Sequence, residues 1–342
     1  MSTYALFAGG GVRVNYATGC ICRLTQMNSP LLTDLNVVSG VSAGAILACA
    51  VATKRDIPTT YNTFATTQFV EPPNTCTTLS RAVSMYTGHR DGFFNNEVLQ
   101  ATLHKLMDGA RVSNARTARV YAHNTKTQTQ HAFPFMQGSS IQIMPVVASC
   151  SIPGVFPPVN IGGVKFVDGG VQNSFGMSDI KSGIKDPSVR TMLLFATSPW
   201  MGRRSTNEQT PSGRFKRVLD TSLHGLMELD HWHVMDMLDI EHDDVPNGRF
   251  MALYKRHEGH VELLQILQPG HKRMVQHDLA VLFFAPTPEE YVGAELVSLK
   301  DAPQMRKPHT DHMFSKGKQA AGEINLLANQ IGLAWKHKMQ FY

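Results

Sequence analysis

Charged residues are scarce in this sequence. Asp, Glu, Lys and Arg make up 17% of its 342 residues, below the roughly 25% of an average soluble domain, whereas hydrophobic residues make up 42%. A chain of this composition has too much apolar surface to remain disordered. Glycine and proline follow no period, and no internal repeat is visible. Collagen-like, coiled-coil and low-complexity classes are therefore excluded.

The excess of positive charge is also small. Lys and Arg number 32 against 27 Asp and Glu, which gives a net charge of +5 with histidine neutral. Nucleic-acid-binding domains usually carry a concentrated basic stripe or a recognisable reading motif, and the sequence has neither. We therefore predict no nucleic-acid partner, and the sequence leaves the oligomeric state unknown.

Metal-binding and disulfide patterns are missing as well. The five cysteines are Cys20, Cys22, Cys49, Cys76 and Cys150. Their odd number and the lack of a Cys-x-x-Cys pair argue against a disulfide framework and a zinc site. Clusters of histidine and acidic residues at 230–233, 241–244 and 257–260 lack the His-Glu-x-x-His spacing of a metalloprotease helix. We therefore expect no metal and no cofactor.

No segment has the features of a secretion signal or of a transmembrane helix. The apolar run from Tyr4 to Ala8 is too short for a signal sequence, and no basic residue precedes it. The uncharged stretch 35–53 is long enough to cross a bilayer. Its glycines and serines instead predict a strand, a tight turn and a helix. We therefore expect a soluble, cytoplasmic protein.

The order of the predicted elements indicates an α/β fold. A strand at Tyr4 to Ala8 and a helix to about Met27 are followed by a strand at 35–39 and a helix at 43–53. Such alternation predicts a parallel sheet covered by helices on both faces. Further strands are expected at 118–122, 165–167, 192–197, 250–254, 261–266 and 279–284.

The whole chain, residues 1–342, is expected to form one domain. Its core is expected at about 4–200, and an extension at about 201–342 is expected to pack on that core. Residues 55–110 are polar, rich in threonine and poor in strand signals, which favours a helical insertion over the sheet. Helices are expected at 95–107, at 217–240 and beyond about residue 310.

The pentapeptide Gly40-Val41-Ser42-Ala43-Gly44 follows a predicted strand and opens a predicted helix. In this context a G-x-S-x-G motif places a nucleophilic serine on a sharp turn. The glycines permit the turn, and the N-terminus of the helix favours negative charge beside the Ser42 hydroxyl. A turn of small residues that only brings a helix close to a strand remains the alternative.

Three glycines, Gly9-Gly10-Gly11, stand between the first predicted strand and helix, and Arg13 follows them. Successive backbone N–H groups in such a loop can bind an anion or a developing oxyanion. Nucleotide motifs fit poorly, because Val14 stands where a dinucleotide fingerprint needs Gly or Ala and the Gly-Lys-Ser/Thr of a P-loop is absent. A flexible turn at a strand end is the alternative.

Asp168-Gly169-Gly170 follows the predicted strand 165–167. Open α/β sheets build their sites at the carboxyl ends of strands, so Asp168 is a candidate site residue. By itself, an Asp-Gly pair more often only makes a turn.

Together the three motifs resemble those of the patatin-like phospholipases, a family of lipid acyl hydrolases with a Ser-Asp dyad. That family has a glycine-rich oxyanion loop ending in x-Arg, then G-x-S-x-G, then Asp-Gly-Gly or Asp-Gly-Ala. The stretch ASCSIPGVFPPVNIGGVKFVDGGVQNS at 148–174 also resembles the family. The resemblance covers residues 4 to about 200. Ala8, Val14 and Asn173-Ser174 depart from common family residues, but none of these departures removes a reacting group.

The resemblance implies a three-layer α/β/α patatin-like fold with a mainly parallel central sheet and a helical insertion. It implies a serine hydrolase of phospholipase A type that cleaves fatty-acyl esters through an acyl-enzyme, with Ser42 as nucleophile and Asp168 as base. The implied oxyanion hole is Gly9, Gly10 and Gly11, and the implied supporting residues are Arg13, Gly40, Gly44, Gly169 and Gly170. Arg13 would support the glycine loop or bind a phosphate. The implied partners are a phospholipid or other fatty-acyl ester and, transiently and peripherally, a membrane surface.

Two other functions remain open. A conventional esterase with a Ser-His-Asp triad shares the elbow motif, but that fold usually places several strands before its nucleophile, and one predicted strand precedes that of Ser42. None of the 15 histidines stands in a distinctive context. A lipid-binding scaffold without turnover is the non-enzymatic alternative, and the presence of both Ser42 and Asp168 counts against it.

Trp200 and Met201, beside Arg203 and Arg204, are candidates for contact with lipid. An aromatic ring suits the headgroup region, and arginine attracts anionic lipid. A tryptophan at a strand end more often lies in the core, so both interpretations stay open.

Overall fold

The computed structural model describes residues 2–67, 75–200, 231–246, 248–258, 260–269, 274–291 and 303–339. Several of the residues named above lie outside this part of the chain. They include Met201, the pair Arg203 and Arg204, the stretch 217–230 of the predicted helix, and residues 68–74 of the predicted insertion.

In the described ranges, ten strands form a single mixed sheet. They are β1 Ser2–Phe7, β2 Leu35–Val41, β3 Thr117–Asn124, β4 Thr129–Phe135, β5 Val159–Ile161, β6 Val164–Asp168, β7 Val189–Phe195, β8 Phe250–His257, β9 His260–Leu267 and β10 Leu279–Phe284. The helices are α1 Asn15–Gln26, α2 Ala43–Ala52, α3 Ile57–Thr66, α4 Thr75–Tyr86, α5 Glu97–Met107, α6 Ile143–Ser149, α7 Met177–Lys185, α8 Pro288–Tyr291 and α9 Pro303–Met339. Residues 231–237 are also helical.

The centre of the sheet is parallel and its edges are antiparallel. The strand order is β5-β6-β3-β2-β1-β7-β10-β8-β9, and β4 also pairs with β3. Strands β3, β2, β1, β7 and β10 run parallel. Hairpins at β3–β4, β5–β6 and β8–β9 supply antiparallel pairs, because a short loop reverses the chain. The predicted α/β class with a mainly parallel central sheet is confirmed.

Alternate residues of the central strands face two separate apolar cores. In β1, Ala5 and Phe7 belong to one core, whereas Tyr4 and Leu6 belong to the other. The first core also takes buried side chains from α1, α2, α6 and α9, and the second takes them from α7 and the helical segment 231–237. The sheet therefore lies between two helical layers, as the three-layer prediction requires.

Three phenylalanines stack across the central strands. The rings of Phe7 and Phe195 have centroids 4.8 Å apart, and those of Phe195 and Phe284 are 4.4 Å apart. Each of the three rings is at most 1% exposed, so the stack adds offset aromatic contacts to a large buried apolar area. It fixes the carboxyl end of β1, which leads directly into the glycine loop.

The C-terminal part of the chain contributes strands to the central sheet. Strands β8, β9 and β10, each at a position where the sequence predicts a strand, extend the same sheet beyond β7. Two strands are missing from the sequence-based prediction. The edge strand β4 contains Pro134, which cannot donate a backbone hydrogen bond and normally argues against a strand, and β5 has only three residues.

No helix in the described ranges combines the length and hydrophobicity that a bilayer crossing requires. The uncharged stretch 35–53 forms β2, the turn at Ser42 and α2. Trp200 is 1% exposed and its ring stacks on that of Phe175 with centroids 5.9 Å apart. The core interpretation of Trp200 is therefore right, and its proposed contact with lipid is wrong.

Helices α1 and α9 cross with their backbones in direct contact. A Cβ atom at Gly19 would lie 2.1 Å from the carbonyl oxygen of Phe314, and one at Gly317 would lie 2.0 Å from that of Tyr16. Neither backbone can move aside without separating the helices. The two glycines therefore allow α9 to lie against the core.

We expect Gly317→Ala to destabilise the protein by roughly 1–3 kcal/mol, because the added methyl group overpacks the helix crossing. Gly322→Ala in the same helix is the matched control, since no neighbouring atom of the described structure lies within 4 Å of a Cβ there. Alanine should stabilise that position by about 0.5–1 kcal/mol. Urea unfolding measures both changes, and equal effects of the two substitutions would contradict this packing.

Candidate active site

Ser42 lies on a strained turn between β2 and α2. Its φ of 54° and ψ of −131° fall outside the regions that side-chain-bearing residues normally adopt, a strain of order 1–3 kcal/mol. A Cβ at Gly44 would lie 2.5 Å from the carbonyl oxygens of Phe7 and Ala8, and one at Gly40 would lie 2.2 Å from that of Gly44. The two motif glycines thus permit this turn, which has the expected strand-turn-helix context.

Ser149 is hydrogen-bonded to the backbone of this turn. The backbone N–H of Ser42 donates to the Ser149 hydroxyl oxygen at 2.8 Å, and that hydroxyl donates to the carbonyl of Tyr121 at 2.6 Å. Ser149 is fully buried at the end of α6. Sequence reasoning missed it, because no local pattern links two residues that are 107 positions apart.

Asp168 reaches Ser42 because β2 and β6 share one edge of β3. The other edge is taken by β4, which pairs with β3 from Ala118 to Asn124. Along the shared edge, Val41 of β2 lies opposite Tyr121, and Asp168 of the antiparallel β6 lies opposite Ala122. The carboxyl ends of the two strands therefore meet head to head.

The Asp168 carboxyl group is buried and only partly hydrogen-bonded. Its side chain accepts the N–H of Gly170 at Oδ1, at 2.8 Å. Burial raises the pKa of Asp168 to about 7, and interactions with the Ser42 hydroxyl and the Gly170 N–H oppose part of that rise. Within the described structure Oδ2 has no hydrogen bond of normal geometry. The Ser42 hydroxyl thus lies close enough to lower the pKa of this carboxyl group but makes no formed hydrogen bond to Oδ2.

The turn after Asp168 is packed against the same strand. A Cβ at Gly169 would lie 2.6 Å from the Tyr121 carbonyl oxygen, and Gly169 and Gly170 begin a short 3-10 turn. The backbone N–H of Asp168 donates to the carbonyl of Ser151 at 2.9 Å. Both predicted supporting glycines thus contribute backbone contacts that fix the direction of the Asp168 side chain.

The glycine loop lies beside Ser42. A Cβ at Gly9 would come within 3.1 Å of the Cβ of Ser42. The N–H of Gly9, however, donates to the carbonyl of Ser174 at 3.0 Å, so this amide is not available to an oxyanion. In the part of the chain described, the N–H groups of Gly10 and Gly11 have no hydrogen-bond acceptor. Of the three glycines predicted to form an oxyanion hole, Gly10 and Gly11 therefore remain as candidate donors.

Arg13 and Thr197 hold this loop in place. Gly10 has a φ of 157°, and a Cβ there would lie 2.2 Å from Oγ1 of Thr197, whose hydroxyl donates to the Gly9 carbonyl. Nε of Arg13 donates to the Gly10 carbonyl at 3.1 Å, and its guanidinium also donates to the Tyr291 hydroxyl. Of the two roles considered for Arg13, this geometry fits support of the loop.

A narrow apolar cavity opens at Ser42. Its volume is about 40 Å³, and it is lined by Gly11, Val12, Ser42, Ala43, Ile46, Phe64, Leu99, Cys150, Ile152 and Phe156. This is space for a few water molecules at most. Burial raises the pKa of the Cys150 thiol well above its usual range, so Cys150 stays protonated and is a poor competing nucleophile. Among the described residues, the lining is uncharged and contains no histidine.

A larger cleft lies near the amino ends of the central strands β2 and β3, where α1 and α2 end and α3 begins. Its volume is about 670 Å³. Its Arg116 donates to the carbonyls of Val51 and Leu32, which ties the guanidinium to structural acceptors. Ser42, Asp168 and the glycine loop do not line this cleft, so the candidate chemistry belongs to the smaller cavity.

The histidine clusters form no metal site in the described ranges, where no three His, Cys, Asp or Glu side chains are placed to bind an ion. His257 instead pairs with Glu262 at 2.7 Å and stacks on His260. Cys20, Cys22, Cys49 and Cys150 are buried free thiols.

The sequence profile of the family described as Patatin-like phospholipase matches residues 6–179. This segment is about half of the chain and contains the glycine loop, Ser42 and Asp168. The chain belongs to the patatin-like phospholipase family. The resemblance drawn from the three sequence motifs is thereby confirmed.

Solved structures that match this chain include VipD from Legionella pneumophila, at 12% identity and a TM-score of 0.33 over 70% of this chain and 66% of that one. They also include human GIVD cytosolic phospholipase A2 in complex with methyl gamma-linolenyl fluorophosphonate inhibitor and terbium chloride, at 10% identity and a TM-score of 0.46 over 98% of this chain and 60% of that one. This chain thus spans less than two thirds of either protein. A search of curated proteins found no match.

The raised pKa of Asp168 links the stability of the fold to pH. Its ordinary value is 3.8 and its folded value is about 7, so between these values the folded state holds a proton that the unfolded chain has lost. The contribution of Asp168 to stability therefore falls as the pH rises through this range.

Asp168→Asn removes the ionisable group and with it this fall in stability with rising pH. We expect the difference in melting temperature, variant minus wild type, to be several degrees larger at about pH 8 than at about pH 5. Asp91→Asn is the control, because the Asp91 side chain is 58% exposed. Melting curves at both pH values provide the measurement, and a difference that does not change with pH would contradict the buried carboxyl.

Proposed function

We propose that this protein is a lipid acyl hydrolase of phospholipase A type, which works through Ser42 and Asp168. The observation that carries the proposal is a buried carboxyl group, with its pKa raised to about 7, facing a hydroxyl on a strained turn. A carboxylate near its ordinary pKa is a weak base toward a hydroxyl, whereas one near 7 is matched to work at neutral pH.

In the first step, Oγ of Ser42 attacks the ester carbonyl and its proton passes to Asp168. Negative charge then develops on the former carbonyl oxygen. The N–H groups of Gly10 and Gly11, which have no acceptor among the described residues, belong to the loop beside Ser42 and would donate to this oxyanion, and the N-terminus of α2 adds positive potential. Removal of a single oxyanion donor typically costs about 10²- to 10³-fold in rate.

In the second step, the tetrahedral intermediate expels the alcohol, which takes the proton held by Asp168, and an acyl-Ser42 ester remains. Asp168 is again ionised and removes a proton from water as that water attacks the ester. The fatty acid leaves, and the proton returns to Ser42. No step needs a metal ion, because backbone donors supply the positive potential.

The lining of the cavity supports an acyl chain as the group held next to Ser42. It is formed by aliphatic and aromatic side chains such as Ile46, Phe64, Leu99 and Phe156. A volume of about 40 Å³ is too small to enclose a whole fatty-acyl chain, so the cavity in this form would hold only the part of the chain next to the ester. Contact with a membrane surface, from which such a substrate comes, would be transient and peripheral.

Ser42→Ala and Asp168→Asn should each lower phospholipid hydrolysis by roughly 10³-fold or more, because they remove the nucleophile and the base. Ser182→Ala and Asp91→Asn are the matched controls, since both residues lie outside the site. A fluorescent phospholipid assay measures the rates, and an alkyl fluorophosphonate should label the wild type but not Ser42→Ala.

Different outcomes favour different functions. If activity survives Asp168→Asn, the base toward Ser42 is another residue, such as the histidine of a conventional esterase. A wild type that is folded but inactive on every ester tried, and unlabelled by fluorophosphonate, would favour a lipid-binding scaffold.

The pH dependence provides a separate test of the base. kcat/KM should rise with pH and reach half its maximum near pH 7, because only ionised Asp168 accepts the Ser42 proton. An imidazole base has a similar midpoint, so the profile is measured at two temperatures. Carboxyl ionisation has little enthalpy and its midpoint should stay in place, whereas a midpoint that falls on warming would point to histidine.

A further inference from the structure

The backbone N–H of Ser42 is a buried donor that the sheet cannot satisfy. The pairing of β2 with β3 ends at Val41, opposite Tyr121. At the next residue, a φ of 54° turns the chain away from the ladder. A buried N–H without an acceptor is strongly unfavourable, so the geometry of this turn depends on a partner from elsewhere in the fold.

That partner is the hydroxyl of Ser149. A serine hydroxyl has one proton and two lone pairs, and here the proton goes to the Tyr121 carbonyl at 2.6 Å, which leaves a lone pair for the Ser42 N–H at 2.8 Å. Ser149 is 0% exposed, so water cannot take over either role. The hydrogen-bond direction is therefore fixed at both ends.

The same Tyr121 carbonyl also defines the position of Asp168. It lies where a Cβ on Gly169 would approach to 2.6 Å, and the residue after Tyr121 pairs with Asp168 across the sheet. The chain that leaves Ser149 adds a second link, because the carbonyl of Ser151 accepts the N–H of Asp168 at 2.9 Å. One hydroxyl thus connects the turn of Ser42 to the strand end of Asp168.

We infer that Ser149 is a positioning residue which sets the relative placement of the Ser42 hydroxyl and the Asp168 carboxylate. This inference rests on the proposed function of those two residues. Ser149 does not line the cavity, so it acts through the backbone of Ser42 and not on substrate. Displacement of a reacting group by about 1 Å can cost roughly 10²-fold in rate, and Oδ2 of Asp168 has no formed hydrogen bond that would hold Ser42 in its place.

Ser149→Ala tests this role. We expect kcat for ester hydrolysis to fall roughly 10- to 100-fold with KM little changed, because binding contacts remain while the alignment of the two groups is lost. Ser149→Thr keeps a hydroxyl and should recover most of kcat. Thr310→Val is the control, since Thr310 is also a buried hydroxyl bonded to a carbonyl, that of Lys307, and should leave kcat unchanged.

Amide hydrogen exchange of the segment around Ser42 adds a readout that does not depend on activity. In Ser149→Ala the Ser42 N–H loses its acceptor, so exchange there should accelerate, whereas Thr310→Val should not change it. If the wild type hydrolyses no ester, exchange alone decides whether Ser149 holds the turn, and only the proposed function fails. An active wild type together with a Ser149→Ala variant of unchanged kcat and unchanged exchange would overturn the inference.

Discussion

The candidate site depends on one constraint, the sharing of a single edge of β3 by two strands that run toward each other. β2 arrives in parallel and ends opposite Tyr121, and β6 arrives antiparallel and ends opposite Ala122. Because β2 and β6 end opposite neighbouring residues of β3, the residues at their carboxyl ends, Ser42 and Asp168, lie close together. The carboxyl ends of parallel strands form the usual site of an open α/β sheet, but here the antiparallel strand β6, which lies between β5 and β3, brings the second reacting group to the same place.

This arrangement stores unfavourable free energy at the site. Ser42 keeps a strained backbone and Asp168 keeps a desolvated carboxyl. Within the described residues, the N–H groups of Gly10 and Gly11 have no acceptor. Such features persist only where the surrounding structure over-determines them. Here the phenylalanine stack fixes the end of β1 next to the glycine loop. Hydrogen bonds between Ser149 and the turn of Ser42 and between Arg13 and the glycine loop fix the two turns themselves.

Much of the fold followed from local patterns. Short apolar runs, glycine-containing turns and an alanine-rich run in the sequence predicted β1, β2, α1 and α2 to within a few residues. The prediction failed where local pattern and tertiary role disagree, as in β4, which contains Pro134 and tolerates it at an edge of the sheet. The joining of β8, β9 and β10 to the central sheet could not be predicted, since strand order is decided by long-range packing.

The sequence by itself determined the chemistry that is present, namely a serine in G-x-S-x-G, an acid in Asp-Gly-Gly and a glycine loop, because each motif is defined by backbone requirements within a few residues. Only the tertiary structure decided how these groups are used. It assigned the Gly9 amide to the Ser174 carbonyl, Arg13 to the support of the loop, and the Ser149 hydroxyl to the turn of Ser42. Hydrogen bonding and desolvation depend on which distant segments the sheet brings into contact, and no local pattern records those contacts.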